Sequence, residues 1–377
     1  MPFLSSLIQF NVVTMELNSY VTLGKSGLRV SPLCLGTMTF GEDWGTGSSP
    51  KEAEIILDRY RELGGNFLDS SNAYNNGHSE KIIGDSIGRE SAKRDRMVIG
   101  TKFANNLYPG DPNGGGNGTK SIIEQCEQSL RRLQTDYIDL YWIHHWDWNT
   151  PVEETMKALN NLVNSGKVRY IGVSDTPAWQ VAQAHTMAQL RNWTPFIGLQ
   201  IEYSLLERTV EDELLPMAQA LGLGVTPWSP LKSGLLSGKF TRTNQGQVSG
   251  SRGEVMGIVA QLDEKAFTIL DRLAELAGTH QTTSAAIALA WVISRPGATS
   301  TIIGARTLDQ LNANVAALDI RLSVEELASL DQLSTPPTMF TTMQQRLTSS
   351  FQHGGISVNG VTPYEYPMTP KSDKDRY

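Results

Sequence analysis

Cysteine is scarce in this chain, and the common metal-binding motifs are missing. The 377 residues include two cysteines, Cys34 and Cys126, and six histidines. Two cysteines cannot form a disulfide framework, and there is no CxxC, HExxH or His-x-His pattern. We therefore expect no zinc site and no cysteine redox centre, and a reducing, cytoplasmic setting is the default.

Concentrated positive charge and long apolar runs are also missing. The chain has 32 Lys and Arg against 39 Asp and Glu, a net charge of −7, and no basic patch of the kind that binds nucleic acid. The apolar stretch from Phe3 to Val13 lacks a basic start and is too short to span a bilayer. We expect neither nucleic acid nor membrane as a partner. Residues 1–18 are interpreted as an N-terminal extension, or in part as sequence upstream of a start at Met15.

The chain does contain a regular alternation of short apolar runs and stretches with helical periodicity. A hairpin is predicted around Gly24 to Val30. Eight β-rich runs follow: Leu33–Gly36, Asn66–Leu68, Met97–Thr101, Ile138–Ile143, Val168–Val173, Phe196–Ile201, Gly222–Thr226 and Ser300–Ile303. The helical stretches are Pro50–Leu63, Lys120–Leu133, Val152–Asn164, Thr176–Leu190, Val210–Ala220, Asp263–Gly278, Thr282–Ser294 and Leu308–Leu318. Such alternation indicates βα units around a parallel sheet.

The number of strands distinguishes two architectures. An open sheet that binds a dinucleotide should carry GxGxxG after its first strand, and the turn at Thr37–Gly41 lacks it. Eight strands favour an α/β fold of the (β/α)8 TIM-barrel type, with active groups on the loops after the strands. We predict this barrel for residues 19–335, with an N-terminal hairpin. Residues 336–377 lose periodicity and are predicted to form an irregular C-terminal tail.

Four polar residues stand at the predicted strand ends or in the loop after one. They are Asp69, Tyr74, Lys102 and His144. A lysine inside the barrel mouth needs a counter-ion, and Asp69 is the natural one. A cation beside a phenol would favour phenolate and lower the pKa of Tyr74, making it a general acid near neutral pH. An exposed turn around Asp69 and Tyr74 is the simpler alternative.

Two histidines, His144 and His145, are adjacent at the end of the fourth predicted strand. In an extended segment His144 and His145 would point in opposite directions, so only one could face the mouth. This disfavours a paired metal site, and it leaves His144 as a hydrogen-bond donor to a carbonyl oxygen or as a satisfied core residue.

An anion site is predicted late in the chain. The strand Ser300–Ile303 is followed by Gly304 and Arg306, and a helix begins near Asp309. Backbone amides at that helix start, with Lys239, Arg252 and Arg306, suit a phosphate monoester. The glycine-rich stretch at Gly114–Ser121 only superficially resembles a phosphate loop, because Thr119 separates its lysine from the last glycine.

These residues match a family. The segments Gly64–Tyr74 with Gly77–Glu80, Ile99–Lys102 and Tyr141–His144 resemble the aspartate–tyrosine, lysine and histidine motifs of the aldo-keto reductase superfamily. Further segments follow in the same order: Ile171–Ser174, Gln200–Leu205, Pro227–Lys239 and Ile303–Arg306. The resemblance extends from about Leu23 to Leu333.

The resemblance implies a barrel that binds extended NADP(H) and reduces an aldehyde or ketone reversibly. Tyr74 would donate the proton, Lys102 and Asp69 would tune it, and His144 would orient the carbonyl. Ser174, Asp175 and Gln200 would hold the carboxamide, with Trp228 stacked on the ring. The remaining implied cofactor-binding residues are Thr37, Met38, Ser229, Pro230, Leu231, Gly234, Lys239, Arg252, Gly304, Arg306, Gln310 and Asn314.

Some features depart from the family pattern or leave function open. Asp175 replaces the usual asparagine; a carboxylate cannot donate to the carboxamide oxygen and favours an oxidised, cationic ring. A regulatory NADP(H)-binding subunit resembling potassium-channel β-subunits is the alternative to an enzyme. The substrate and the oligomeric state cannot be read from the sequence. Selectivity is expected from Asn105–Thr119, Trp146–Asn149, Ser229–Gln261 and Phe340–Gly360.

Overall fold

The computed structural model describes residues 15–376, except 245–247, 249–251 and 256. Most of the predicted N-terminal extension and part of the segment Ser229–Gln261 therefore lie outside the described residues. The same holds for the side chain of Arg252. Within the described ranges, no helix is both long and apolar enough to cross a membrane.

A short antiparallel hairpin precedes eight parallel strands. The hairpin pairs β1 (Val21–Thr22) with β2 (Arg29–Val30). The parallel strands are β3 Leu33–Gly36, β4 Phe67–Asp69, β5 Val98–Phe103, β6 Ile138–Ile143, β7 Val168–Ser174, β8 Gly198–Glu202, β9 Gly224–Trp228 and β10 Thr301–Gly304.

The eight strands form a barrel. Their order is β10-β3-β4-β5-β6-β7-β8-β9, and each neighbouring pair is parallel. Strands β9 and β10 approach each other through a bridge between Val225 and Ala298, where the Thr299 amide donates to the Val225 carbonyl at 2.8 Å. The predicted hairpin and (β/α)8 barrel are therefore confirmed.

Helices surround the strands. They are α1 Pro50–Glu62, α2 His78–Ile83, α3 Ser91–Arg94, α4 Thr119–Leu133, α5 Val152–Asn164, α6 Ala178–Leu190, α7 Leu214–Leu221, α8 Arg252–Val255, α9 Glu264–Thr279, α10 Ser284–Ile293, α11 Leu308–Val315, α12 Val324–Ser334 and α13 Phe340–His353. Local sequence explains several of their starts. Ser49 and Glu52 form a capping box before α1, Ser323 and Glu326 do so before α12, and Thr307 caps α11.

The stretch after residue 335 differs from the sequence-based expectation. It contains the 14-residue helix α13 rather than only irregular chain. Many of its apolar side chains are exposed, including Phe340 at 70% and Met343 at 51%. Phe340, Met343 and Leu347 are spaced for one face of a helix, a pattern that the sequence-based prediction overlooked.

One tryptophan occupies the interior of the barrel, and neighbouring strands make room for it with glycine. Trp142 on β6 is fully buried. A Cβ atom at Gly172 would lie 2.3 Å from the Trp142 ring, and one at Gly198 would lie 2.8 Å from it. Gly172 pairs with Trp142 in the parallel register between β6 and β7. Gly172 on β7 and Gly198 on β8 therefore leave the space that the Trp142 ring fills.

Replacing Gly172 by alanine should destabilise the barrel. The added methyl group must displace the Trp142 ring, and such overpacking lowers the free energy of unfolding by about 1–3 kcal/mol. Urea denaturation measures the change. Gly278→Ala is the matched control, because a Cβ there meets no heavy atom within 4 Å and the site is helical. Equal stability of both variants would contradict this description of the core.

Candidate active site

A buried lysine connects the acid and the phenol at the mouth of the barrel. Lys102 Nζ lies 2.5 Å from Asp69 Oδ2 and 2.9 Å from Tyr74 Oη, and it also donates to the Ser70 carbonyl at 2.9 Å. Asp69 and Lys102 are both buried, whereas Tyr74 is half-buried. The ammonium therefore has three oxygen partners, which compensate for its removal from water.

The local sequence explains how Tyr74 reaches this lysine. Asp69 is the last residue of β4, and Tyr74 opens the 3-10 turn Tyr74–Gly77. Asn75 and Asn76 adopt left-handed φ angles of 45° and 57°, which asparagine tolerates better than most residues. Asn75 also donates to the carbonyls of Met38 and Phe40 at 2.9 and 3.1 Å. This turn, fixed to the loop after β3, directs the phenol towards Lys102.

The pKa of Tyr74 is raised in the protein without cofactor, so the prediction that Lys102 lowers it below its usual value is wrong. Burial raises the pKa of Tyr74, and the opposing attraction of Lys102 does not overcome it. For Lys102, burial lowers the pKa, but the Asp69 carboxylate and Tyr74 outweigh it and hold the pKa above its usual value. At neutral pH the site therefore contains a protonated phenol next to an ammonium.

His144 lies beside the phenol and stays neutral. Its ring meets Tyr74 edge-on, with ring centroids 5.9 Å apart. Burial, followed by the charge of Lys102, lowers the pKa of His144 to about 2. Its Nδ1 atom lies 3.1 Å from Asn105 Nδ2 and 3.2 Å from Ser71 Oγ.

The two histidines do not point in opposite directions as predicted. Strand β6 ends at Ile143, so the alternation of side chains stops before His144. The rings of His144 and His145 lie 5.6 Å apart, and both contact Asn105. His145 Nε2 lies 2.7 Å from Asn105 Oδ1. With His145 as donor to that oxygen, Asn105 Nδ2 donates to His144 Nδ1, which places the His144 proton on Nε2.

A row of polar side chains continues the site across β7, β8 and β9. Ser174, Gln200 and Thr226 are neighbours in the strand register and are all buried. Gln200 Nε2 donates to Asp69 Oδ1 at 2.9 Å. The hydroxyls of Ser174 and Thr226 make no hydrogen bond with any described residue. Unpaired buried hydroxyls need explaining, and a bound polar group such as an amide would satisfy them.

Asp175 and Trp228 form the rim of this row. Trp228 Nε1 donates to Asp175 Oδ1 at 3.0 Å. Asp175 has a left-handed φ of 43°. Asp175 is exposed at the rim, yet the surrounding protein atoms remove part of its hydration and raise its pKa to about 6, while the Trp228 hydrogen bond and Lys102 oppose the shift.

The chain after β9 follows an unusual path. Left-handed φ angles occur at Ser229, Lys232, Ser233 and Gly234, whereas Pro230 is buried and Leu231 packs against the core. Lys232 Nζ lies 2.9 Å from Glu202 Oε1. Such backbone conformations are costly and cluster at ligand-binding segments.

The predicted anion site is partly assembled. Arg306 is half-buried, and its backbone amide donates to Gln310 Oε1 at 2.8 Å. Buried Asn314 donates to the Gly304 carbonyl at 3.0 Å. Lys239 is exposed, and within the described ranges no hydrogen bond or ion pair joins its side chain to these four residues. The structure therefore brings Gly304, Arg306, Gln310 and Asn314 together, without Lys239.

The turn after β3 supports strand β4 from behind. Thr37 is fully buried, and its hydroxyl contacts the Asp69 carbonyl at 3.1 Å and Ser79 Oγ at 2.7 Å. The side chain of Asn75 binds the Met38 carbonyl. Thr37 therefore holds the end of β4 in place, and Met38 is half-buried near the mouth.

Sequence reasoning missed two members of the site. Trp44 is 41% exposed and meets the Tyr74 ring edge-on at 6.4 Å, which makes it an aromatic wall of the mouth. Asn105, assigned only to a selectivity loop, joins both histidines. Neither residue lies in a strand run, so no periodic signal marks it. In the predicted selectivity segment Trp146–Asn149, Trp146 packs partly against the core and Trp148 is 70% exposed.

The chain is similar in sequence to known oxidoreductases. A family model described as the aldo/keto reductase family matches residues 32–335. An uncharacterised oxidoreductase, YrpG, from Bacillus subtilis is 40% identical over 327 residues, covering 84% of this chain and 96% of that protein. The norsolorinic acid reductase of Aspergillus flavus is 38% identical, covering 81% and 78%. A Phanerodontia chrysosporium protein named aryl-alcohol dehydrogenase (NADP(+)) is 35% identical, covering 81% and 83%.

Proposed function

Because this chain belongs to the aldo/keto reductase family, we propose that it interconverts an aldehyde or ketone and the corresponding alcohol with NADP(H) as cofactor. One observation carries the proposal. The Lys102 ammonium lies between the Asp69 carboxylate and the Tyr74 hydroxyl, with neutral His144 beside the phenol. A protonated phenol, a fixed cation and an imidazole donor are the groups that protonation of a carbonyl oxygen requires.

Each residue has a separate part in the reaction. When bound, NADPH supplies the hydride that reaches the carbonyl carbon. The Nε2–H group of His144 donates a hydrogen bond to the carbonyl oxygen and orients it, and keeps its proton. Tyr74 then transfers its phenolic proton to that oxygen. Lys102 stabilises the phenolate that remains, and Asp69 keeps the ammonium in place at 2.5 Å. In alcohol oxidation the same groups act in reverse.

The cofactor assignment rests on the fit of the surrounding residues. The unpaired Ser174 hydroxyl and the amide of Gln200 suit a carboxamide, and Trp228 offers a ring for stacking. The left-handed segment Ser229–Gly234 suits close approach of a pyrophosphate to the backbone. We assign the phosphate monoester of NADP(H) to Arg306, Gln310 and Asn314, with Lys239 and Arg252 retained from the sequence. Thr37 and Met38 complete the set as lining of the mouth.

We further propose an aromatic carbonyl compound as substrate. Trp44 meets Tyr74 at the mouth and offers a flat apolar surface. Two of the relatives are named for norsolorinic acid and for aryl alcohols. We assign this activity to the cytoplasm because both cysteines are free and buried.

Steady-state kinetics test the proposal. Purified protein should oxidise NADPH with aromatic aldehydes, with a higher kcat/KM than for straight-chain aldehydes of equal carbon number. NADPH should exceed NADH in kcat/KM. Tight NADPH binding without turnover of any carbonyl or alcohol would reject the enzyme and favour a regulatory subunit. Turnover with NADH alone would reject the phosphate assignment.

Replacing Asn105 by alanine should reduce kcat/KM by about tenfold, because His144 loses the donor that keeps its proton on Nε2. Cofactor affinity should not change. Asn113→Ala, in the same loop but exposed, is the control and should retain activity. An unaltered kcat/KM in Asn105→Ala would show that the hydrogen bond has no part in positioning His144.

A further inference from the structure

Asp175, at the rim of the barrel mouth, carries a negative charge where the family pattern has a neutral asparagine. Asp175 directly follows Ser174, and its backbone amide donates to the Gln200 carbonyl at 3.3 Å. Its carboxylate is fixed by the indole of Trp228 at 3.0 Å. Asp175 therefore lies next to Ser174 and Gln200, assigned above to the carboxamide, and to Trp228, assigned to ring stacking.

We propose that Asp175 sets the preference of this protein between the two redox forms of its cofactor, favouring NADP+ over NADPH. This inference rests on the proposed function. The nicotinamide ring is cationic in NADP+ and neutral in NADPH, and the two forms otherwise carry the same phosphates. A carboxylate held beside the ring attracts the first form and leaves the second almost unaffected.

Other charges near Asp175 do not cancel this effect. Lys102 attracts the Asp175 carboxylate, but it is itself paired with Asp69 at 2.5 Å, and Glu202 is paired with Lys232 at 2.9 Å. Tyr74 is a neutral phenol because its pKa is raised, and His144 is neutral because its pKa is about 2. The carboxylate of Asp175, whose partner is the uncharged indole of Trp228, therefore supplies an uncompensated negative charge.

The preference should depend on pH because the carboxyl group titrates in an accessible range. The pKa of Asp175 is raised to about 6, first through desolvation. Above that pH the carboxylate is charged and NADP+ is favoured, and the preference is lost as the pH falls through about 6. The cofactor's own phosphate titrations occur in both redox forms, so they cancel in the ratio of the two dissociation constants.

The test compares wild type with Asp175→Asn. Asparagine suits the left-handed φ of 43°, so this variant should fold. Quenching of tryptophan fluorescence gives Kd for NADP+ and for NADPH at several pH values, with acid-labile NADPH measured promptly. We expect the ratio Kd(NADP+)/Kd(NADPH) to rise roughly tenfold in the variant at about pH 8. At about pH 5 the ratios should approach each other.

Glu202→Gln is the matched control, because it removes a nearby carboxylate that is already paired with Lys232. It should change the ratio less than Asp175→Asn does. If both redox forms bind and Asp175→Asn leaves the ratio unchanged at every pH, the inference is overturned while the proposed function stands. If neither form binds the wild-type protein, the proposed function fails, and this inference fails with it.

Discussion

Tyr74→Phe should reduce carbonyl turnover by about 10³-fold while NADPH binding stays close to that of wild type. The substitution removes the one hydroxyl placed 2.9 Å from Lys102 Nζ and leaves the ring and its edge-on contact with His144. General acid catalysis contributes roughly 10²–10⁴-fold, so its loss should appear in kcat. Single-turnover oxidation of NADPH measures the effect without interference from product release.

The control for this prediction is Tyr364→Phe. Tyr364 is 59% exposed in the C-terminal stretch, so this variant also loses a phenolic hydroxyl but leaves the site unaltered. Its kcat should equal that of wild type. A Tyr74→Phe variant that retains more than about a tenth of wild-type kcat would assign the proton to another group.

Lys102→Met should have the second large effect, on activity and on stability together. The variant leaves the buried Asp69 carboxylate without its cation, and breaking a buried ion pair costs about 3–5 kcal/mol. Because the pKa of Lys102 is raised, the stability that its protonation contributes is present at all pH values below the unfolded pKa of about 10.4. It is lost only in more alkaline solution. Urea denaturation at neutral pH measures the predicted loss.

Two further variants separate charge pairing from folding in general. Lys81→Met breaks an exposed ion pair with Asp85 and should change the free energy of unfolding by less than about 1 kcal/mol. The double variant Lys102→Met with Asp69→Asn should recover part of the stability without recovering activity. Equal effects of Lys102→Met and Lys81→Met on stability would mean that the buried pair is not a strong constraint on the fold.

The sequence was sufficient for the barrel and for the meeting of four distant side chains. Strands of β-rich residues separated by helices with clear caps permit few architectures, and parallel strands bring their carboxyl ends together. Asp69, Lys102 and His144 stand at or just beyond three such ends. Tyr74 lies five residues beyond the end of β4, and its exact position depends on the Asn75–Gly77 turn.

Three features of the site were not predicted correctly: the pKa shift of Tyr74, the directions of the two histidine side chains and the contact of Trp44. They depend on desolvation or on the path of the chain after a strand ends. The sign of the Tyr74 pKa shift is a balance between burial and the Lys102 charge, and only the packed site shows which is larger. His144 and His145 meet at Asn105 because β6 ends at Ile143, before the two residues that the alternation argument treated as extended. The contact between Trp44 and Tyr74 joins two loops, which carry no periodic pattern.

Isotope transfer tests the central claim most directly, namely that this site reduces a carbonyl with hydride from NADPH. The protein is mixed with an aromatic aldehyde and NADPH carrying deuterium at the transferable ring position, and the alcohol is analysed by mass spectrometry. We expect one deuterium on the carbinol carbon of each alcohol formed, and no alcohol formation in Tyr74→Phe. Alcohol without deuterium, or bound NADPH with no alcohol from any aldehyde tested, would contradict the central claim.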